Sequence, residues 1–329
     1  MAALRFSVKL ALFVFVLAAC QMAVYGLFES RNVPMEIDLL DRLLLSRTPV
    51  VYLGDSTVNG IAQDDEDRRC LSAMVQDLLP DARVGVICHG GYHARVFEHQ
   101  CSYMARTDNP PSVVIVPINL RSFSPVWDLR PAWQFEKEKF FLRHDSSLVR
   151  MFWRPLTIYR AVDVVPVSRE EFARAPVYVG GGIIGTVAES GAGGFAVRPH
   201  ADQFLSRYGY RLHREHRLLV ALVNAGQTLV EKGITPVFYV TPIDYQAGER
   251  FHGSAFQEQV VENVATIQAA LSEVGVTPVD LSSLCPSRMF CHGFIINEHL
   301  DENGRSLLAV HVAEAARAAL DIQRLRSLE

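Results

Sequence analysis

Four short stretches place reactive residue types where they could act together. In "VVYLGDSTVNG" a β-branched and aromatic run stops at Gly54-Asp55-Ser56, and Gly60 follows four residues after the serine. A serine at a strand-to-helix turn sits near backbone N–H groups, which suits a nucleophile whose oxyanion needs stabilising. The same three residues also make an ordinary capped turn. In "CHGGYH", Gly90 and Gly91 let backbone N–H groups approach a substrate oxygen closely. In "PINLRSFS", Asn119 directly follows an apolar run, where its amide could donate to an oxyanion or close a turn. In "NEHLDENGRSLLA", His299 precedes a helical stretch and could serve as general base and then general acid.

These residues need elements to hold them. "PVVYLG", "ARVGVIC", "SVVIVPI", "TPVFYVTP" and "VTPVDLS" are short apolar runs bounded by turn residues and predict five strands. Helical periodicity lies between them. In "DDEDRRCLSAMVQDLL", Leu71, Met74, Val75, Leu78 and Leu79 share one face, and the acidic start suits a helix N-terminus. "GYHARVFEHQCSYMA" predicts a second helix. "LHREHRLLVALVNAGQTLVEKG" and "AFQEQVVENVATIQAALSEVG" predict helices stopping at Gly233 and Gly275, and "DENGRSLLAVHVAEAARAALDIQRL" closes the chain. Strand–helix units of this length imply a parallel α/β sheet with helices on both faces. The active end of such a sheet lies beyond the C-terminal strand ends. Ser56, the glycine pair and Asn119 each follow one of the first three strands.

Residues 121–210 break the alternation. They carry aromatics, prolines and the stretch "VGGGIIGTVAESGAGG", which lacks the Lys-Ser/Thr of a phosphate-binding loop and reads as surface loop. This region is expected to be an insertion over the active end of the sheet. Trp127, Trp133 and Trp153 could stack on sugar rings or pack in the core.

The bulk numbers exclude several classes. The chain has 329 residues, 49% hydrophobic and 21% charged, in the range of a folded globular protein. Its net charge of -4 and the lack of a basic block do not favour nucleic acid as a partner. Residues 10–28, "LALFVFVLAACQMAVYGLF", carry no charge and would span about 28 Å as a helix, close to a bilayer core. Arg5 and Lys9 precede the run, so the N-terminus is expected in the cytoplasm and the remainder exported. Residues 1–28 thus read as an anchor or signal segment, 29–48 as a linker helix and 49–329 as the exported domain. A lipoprotein signal ending at Cys20 and a cleaved signal peptide are the competing readings. The six cysteines fit an oxidising compartment. Cys285 and Cys291 bracket "PSRMF" and are expected to form a local disulfide, and no Cys/His spacing suggests a metal site.

The order serine, glycine, asparagine, histidine resembles the SGNH hydrolase superfamily, the GDSL-type esterases and lipases. "GDSTVNG" resembles the family's nucleophile block and "HLDENGRSLLA" its C-terminal block. The resemblance covers residues 49–320 apart from the insertion. It implies a flavodoxin-like three-layer α/β/α sandwich and an acyl-enzyme mechanism without metal or organic cofactor. It implies Ser56 as nucleophile, His299 as base, and the Ser56 N–H, Gly91 (or Gly90) and Asn119 as oxyanion donors. Gly54 and Asp55 would support the serine turn. The family usually places an aspartate three residues before the histidine, whereas Ile296 stands here. Glu298, Asn297 or a backbone carbonyl would then orient His299. The expected activity is hydrolysis of O-acyl, above all O-acetyl, esters, with an envelope polysaccharide as substrate by analogy with bacterial envelope members. Transfer of the acyl group to a sugar hydroxyl, or an inactive envelope-binding role, are the alternatives.

Overall fold

A computed structural model describes residues 2–124, 135–144, 149–150, 207–291 and 298–326. Five parallel strands form one sheet: β1 (Val50–Gly54), β2 (Val84–Cys88), β3 (Val113–Ile118), β4 (Thr235–Val240) and β5 (Val279–Asp280). Their order is β2-β1-β3-β4-β5, the flavodoxin-like arrangement. All five expected strands form. β5 is only two residues long.

Alternation along the strands sorts the core into two layers. Val51, Leu53, Val114, Val116, Phe238 and Val240 face one side. There they pack against α2 (Met35–Leu45), α5 (Ala94–Ala105), α7 (Arg217–Glu231) and α9 (Ala255–Ser272). Val50, Tyr52, Val113, Ile115, Val237 and Tyr239 face the other side, under α4 (Leu71–Leu78) and α10 (Glu302–Arg326). Both faces of β1 and β3 are closed to water, which is why these strands read as continuous apolar runs rather than alternating ones. Three further helices are α3 (Ser56–Asn59), α6 (Glu136–Arg143) and α8 (Tyr245–His252). Gly233 and Gly275 end α7 and α9 in the left-handed region, at φ 71° and 77°.

The acidic run 64–67 does not start a helix, contrary to expectation. α4 begins only at Leu71. Asp65 instead serves α10: it accepts from the Glu302 N–H at 3.3 Å and pairs with the buried Arg305 guanidinium at 2.6 Å. A buried arginine needs a carboxylate more than α4 needs a charged first turn.

α1 (Ala2–Asn32) is one continuous helix. Its stretch Arg5–Val24 has a mean hydropathy of 2.1 and is not buried among the described residues; by length and composition it could cross a membrane. Most of residues 121–210, including Trp127, Trp133, Trp153 and the glycine-rich stretch, lies outside the described residues. Within that region α6 is regular where the sequence pattern reads as irregular, and Tyr208 and Tyr210 are buried in the core.

Candidate active site

β1 ends at Gly54, and Asp55 turns the chain into α3, whose first residue is Ser56. Gly54 permits the turn by its lack of a side chain, since a Cβ there would lie 2.7 Å from Val58. Asp55 is fully buried and caps α3, accepting from the Thr57 N–H at 2.9 Å and the Thr57 hydroxyl at 2.7 Å. Its other oxygen accepts from Asn119 Nδ2 at 3.0 Å and pairs with Arg121 at 3.4 Å. Asp55 therefore ties the loop after β1 to the loop after β3. The chain order reverses direction across the sheet between these two strands, which is where doubly wound sheets bind ligands.

Ser56 and His299 line the same cleft of about 780 Å³, together with Asn59, Gly60, Cys88, His89, Gly90 and Cys291. The His299 ring donates to the backbone carbonyl of Ser56. A neutral imidazole that donates from one nitrogen accepts at the other, so this contact seats a ring with basic capacity beside the serine. Burial first and the Arg121 charge second lower the His299 pKa to about 4, against the opposing effects of Asp55 and the Ser56 carbonyl. The imidazole is thus neutral over most of the pH range.

The remaining sequence candidates fall as follows. Gly90 is exposed on the cleft wall, whereas Gly91 is buried with φ 92°, a conformation that favours glycine. Asn119 is 4% exposed and sits one layer behind the cleft: Nδ2 donates to Asp55, and Oδ1 accepts from the Thr241 hydroxyl at 3.0 Å. Glu298 is the chain neighbour of His299, but its carboxylate turns into the protein. It accepts from the Arg121 N–H at 3.1 Å, the Tyr208 hydroxyl at 3.0 Å and the Thr241 hydroxyl at 3.1 Å. Burial raises the Glu298 pKa, and Arg121 opposes that rise. Its hydrogen bonds go to these three residues, so the expectation that its carboxylate orients the His299 ring directly is corrected. Asn297 and Ile296 lie outside the described residues.

Sequence reasoning missed Arg121, Thr241, Tyr208 and the Asp65–Arg305 pair. Arg121 carried a signal, being a lone cation at the exit of an apolar strand. Its side chain is 8% exposed, and it faces Asp55 while its backbone N–H holds Glu298. Arg305 also donates to the carbonyls of Arg69, Asp67 and Leu300, which fixes the 61–70 loop of the cleft wall to the residue after His299.

The expected Cys285–Cys291 disulfide is not formed, and both are free thiols. Cys285 belongs to the core under α10, whereas Cys291 faces the cleft. Cys88 also lines the cleft, where its thiol donates to the Asp55 carbonyl at 2.8 Å and burial pushes its pKa up to about 12. Among the described residues no group of three or more His, Cys, Asp or Glu side chains is gathered to hold a metal ion.

No protein-family model matches the chain, and no curated protein matches it. Solved structures similar to it include an acetylxylan esterase from Geobacillus stearothermophilus (13% identity, 81% of this chain and 92% of that one, TM-score 0.38). Others are a putative GDSL-like lipase from Parabacteroides merdae (13%, 81% and 94%, TM-score 0.40) and an inhibitor-bound aryl esterase of M. smegmatis (11%, 82% and 98%, TM-score 0.36).

Proposed function

We propose that this chain is a membrane-tethered serine acyl hydrolase of the SGNH type, acting on O-acyl esters. The observation that carries this reading is the meeting of Ser56 and His299 in one cleft, with the imidazole hydrogen-bonded to the serine's own backbone. The supporting frame is the parallel sheet that presents Ser56 at the point where strand order reverses.

In this reading Ser56 Oγ attacks the ester carbonyl while its proton passes to His299. The tetrahedral oxyanion is held by backbone N–H groups of Ser56 and the Gly90-Gly91 turn. Asn119 contributes from behind the cleft by fixing Asp55. His299 then protonates the departing alkoxide, leaving an acyl-Ser56 ester. Water, deprotonated by His299, attacks that ester, releases the carboxylic acid and restores the serine. The nearby Asp55 charge favours the imidazolium that forms along the way. Glu298 acts as a positioning residue, anchoring the chain beside His299 through Arg121, Tyr208 and Thr241.

An acetyl ester on an envelope polysaccharide, in an exported compartment with α1 in the inner membrane, is the substrate setting that the sequence resemblance favours. The test is hydrolysis of a chromogenic acetyl ester by the full-length chain. Activity lost in both Ser56→Ala and His299→Ala, with folding retained, supports the reading. Equal activity, or equal inertness toward esters and a fluorophosphonate probe, in all three proteins contradicts it.

A further inference from the structure

The helix that follows α1 fixes which end of the domain faces the membrane. α2 begins at Met35, only Val33 and Pro34 beyond the end of α1. Two contacts and one through-space charge effect set its direction. At its C-terminal end, Leu43 packs against Gly85 near the start of β2, where a Cβ would come within 2.6 Å of it. In its middle, Asp41 accepts from the Tyr103 hydroxyl near the end of α5 at 2.6 Å. At its N-terminal end, the Glu36 charge acts on Cys88, the last residue of β2, and on Tyr92 just beyond it. α2 therefore runs antiparallel to the strands. Its start, where α1 joins, lies at the C-terminal end of the sheet, the end that carries the cleft.

The connection is short. From Phe28, the last residue of the uncharged run, about 6 Å of helix and a link of at most about 10 Å lead to Met35. Cys88 lines the cleft with Ser56, so the cleft lies at the anchored end, within a few nanometres of the headgroups. The opposite end, with Arg83 and the β-strand starts, lies farther along the sheet from the α1–α2 junction by roughly a strand length, about 17 Å. An anchor joined at the far end would leave the cleft facing away from the bilayer.

We infer that the cleft is directed at the membrane surface and takes an acyl ester whose carrier is itself seated in the bilayer, as a lipid-linked acylated saccharide would be. The inference rests on the acyl-hydrolase reading for its chemistry but on α2 for its geometry. No long soluble polymer has to be threaded between domain and membrane, and a lipid-borne ester gains the high effective concentration of a shared surface.

Two measurements on the full-length chain in nanodiscs separate geometry from chemistry. A fluorophore attached through a non-canonical azide residue at His89, on the cleft wall, or at Arg83, at the far end, is read by energy transfer to a headgroup-labelled lipid. Stronger transfer from position 89 than from position 83 is expected. Equal transfer, reversed order or no transfer overturns the orientation, whatever the enzyme does. Then one acetylated disaccharide is supplied free or joined to a dialkyl lipid in the same nanodisc. At matched bulk concentration, at least tenfold faster hydrolysis of the lipid-borne ester is expected, falling toward the free-ester rate when a 30-residue Gly/Ser spacer is inserted after Val33. Equal rates on both esters overturn the substrate class. Inertness toward both esters and the chromogenic ester removes the hydrolase reading and the substrate class with it, and leaves the orientation to the energy-transfer result.

Discussion

Gly60 lies directly against the His299 ring. A Cβ on Gly60 would stand 3.1 Å from Cδ2 of the imidazole and 2.6 Å from the Ser56 carbonyl oxygen. The backbone here is ordinary, with φ −65°, so space rather than conformation demands glycine. The carbonyl at risk also accepts from the Gly60 N–H at 2.8 Å and from the His299 ring. Gly60→Ala must therefore shift the serine turn or the ring. A displacement of about 1 Å costs on the order of 100-fold in rate. We expect kcat/KM to fall by about that factor and the thermal midpoint to drop as well, because the clash is with backbone, in paired ester kinetics and calorimetry.

The Asp65–Arg305 pair holds the cleft wall by a different means. Both side chains are at most 5% exposed. Removing one partner strands the other charge, a loss of about 3–5 kcal/mol. Arg305→Ala should accordingly lower stability by that order in chemical denaturation, and Asp65→Asn by less, since Asn keeps an acceptor. Burial pushes the Asp65 pKa up, but the hydrogen bonds from Arg305, Ala62 and Glu302 and the Arg305 charge bring it below the ordinary 3.8. The contribution is present above that ordinary value and is lost as pH falls through the lower folded value. Urea midpoints at pH 5 and pH 3 should differ more in the wild type than in Asp65→Asn.

The depressed histidines set a second pH dependence. His99 and His299 titrate near 4 and His216 near 3, mainly because burial disfavours the charged ring. In the unfolded chain each titrates near 6.5. Between those values the unfolded state binds more protons, so stability falls as pH drops from about 6.5 toward 4. For catalysis the same shift keeps His299 neutral. The acid limb of kcat/KM should lie near pH 4 rather than 6.5, which a pH–rate profile measures directly. Neutralising Arg121, whose charge depresses His299, should move that limb upward.

Glu298 accepts three hydrogen bonds in a buried site. Glu298→Ala leaves those donors without their acceptor and should cost at least about 2 kcal/mol. Glu298→Gln keeps the volume but removes the charge facing Arg121. We expect it to fold and to show a lowered kcat with an acid limb shifted downward, since Arg121 then acts on His299 less opposed. A wild-type pH profile in Glu298→Gln would remove Glu298 from the positioning role.

β1 and β3 were legible because burial on both faces makes each a continuous apolar run, as in Val113–Ile118. The serine turn and the final helix were legible because Gly54-Asp55-Ser56 and the run after Asp301 obey local rules. Arg121, Thr241, Tyr208 and Asp65 were not, because their partners lie 57 to 240 residues away and no local pattern encodes such pairings. The acidic run 64–67 misled for the same reason: its local helix signal was overridden by the needs of a buried arginine. Glu298 looked like a partner for His299 by adjacency, yet successive side chains at such a bend can point to opposite sides, and its carboxylate faces the core.

Ser56 is proposed to be a nucleophile activated by His299. Intact-mass measurement of the full-length chain after exposure to a fluorophosphonate tests it most directly. A single adduct is predicted, mapped to the peptide containing Ser56, absent in Ser56→Ala and formed far more slowly in a folded His299→Ala. An unmodified wild type, or labelling that persists in Ser56→Ala, would contradict it.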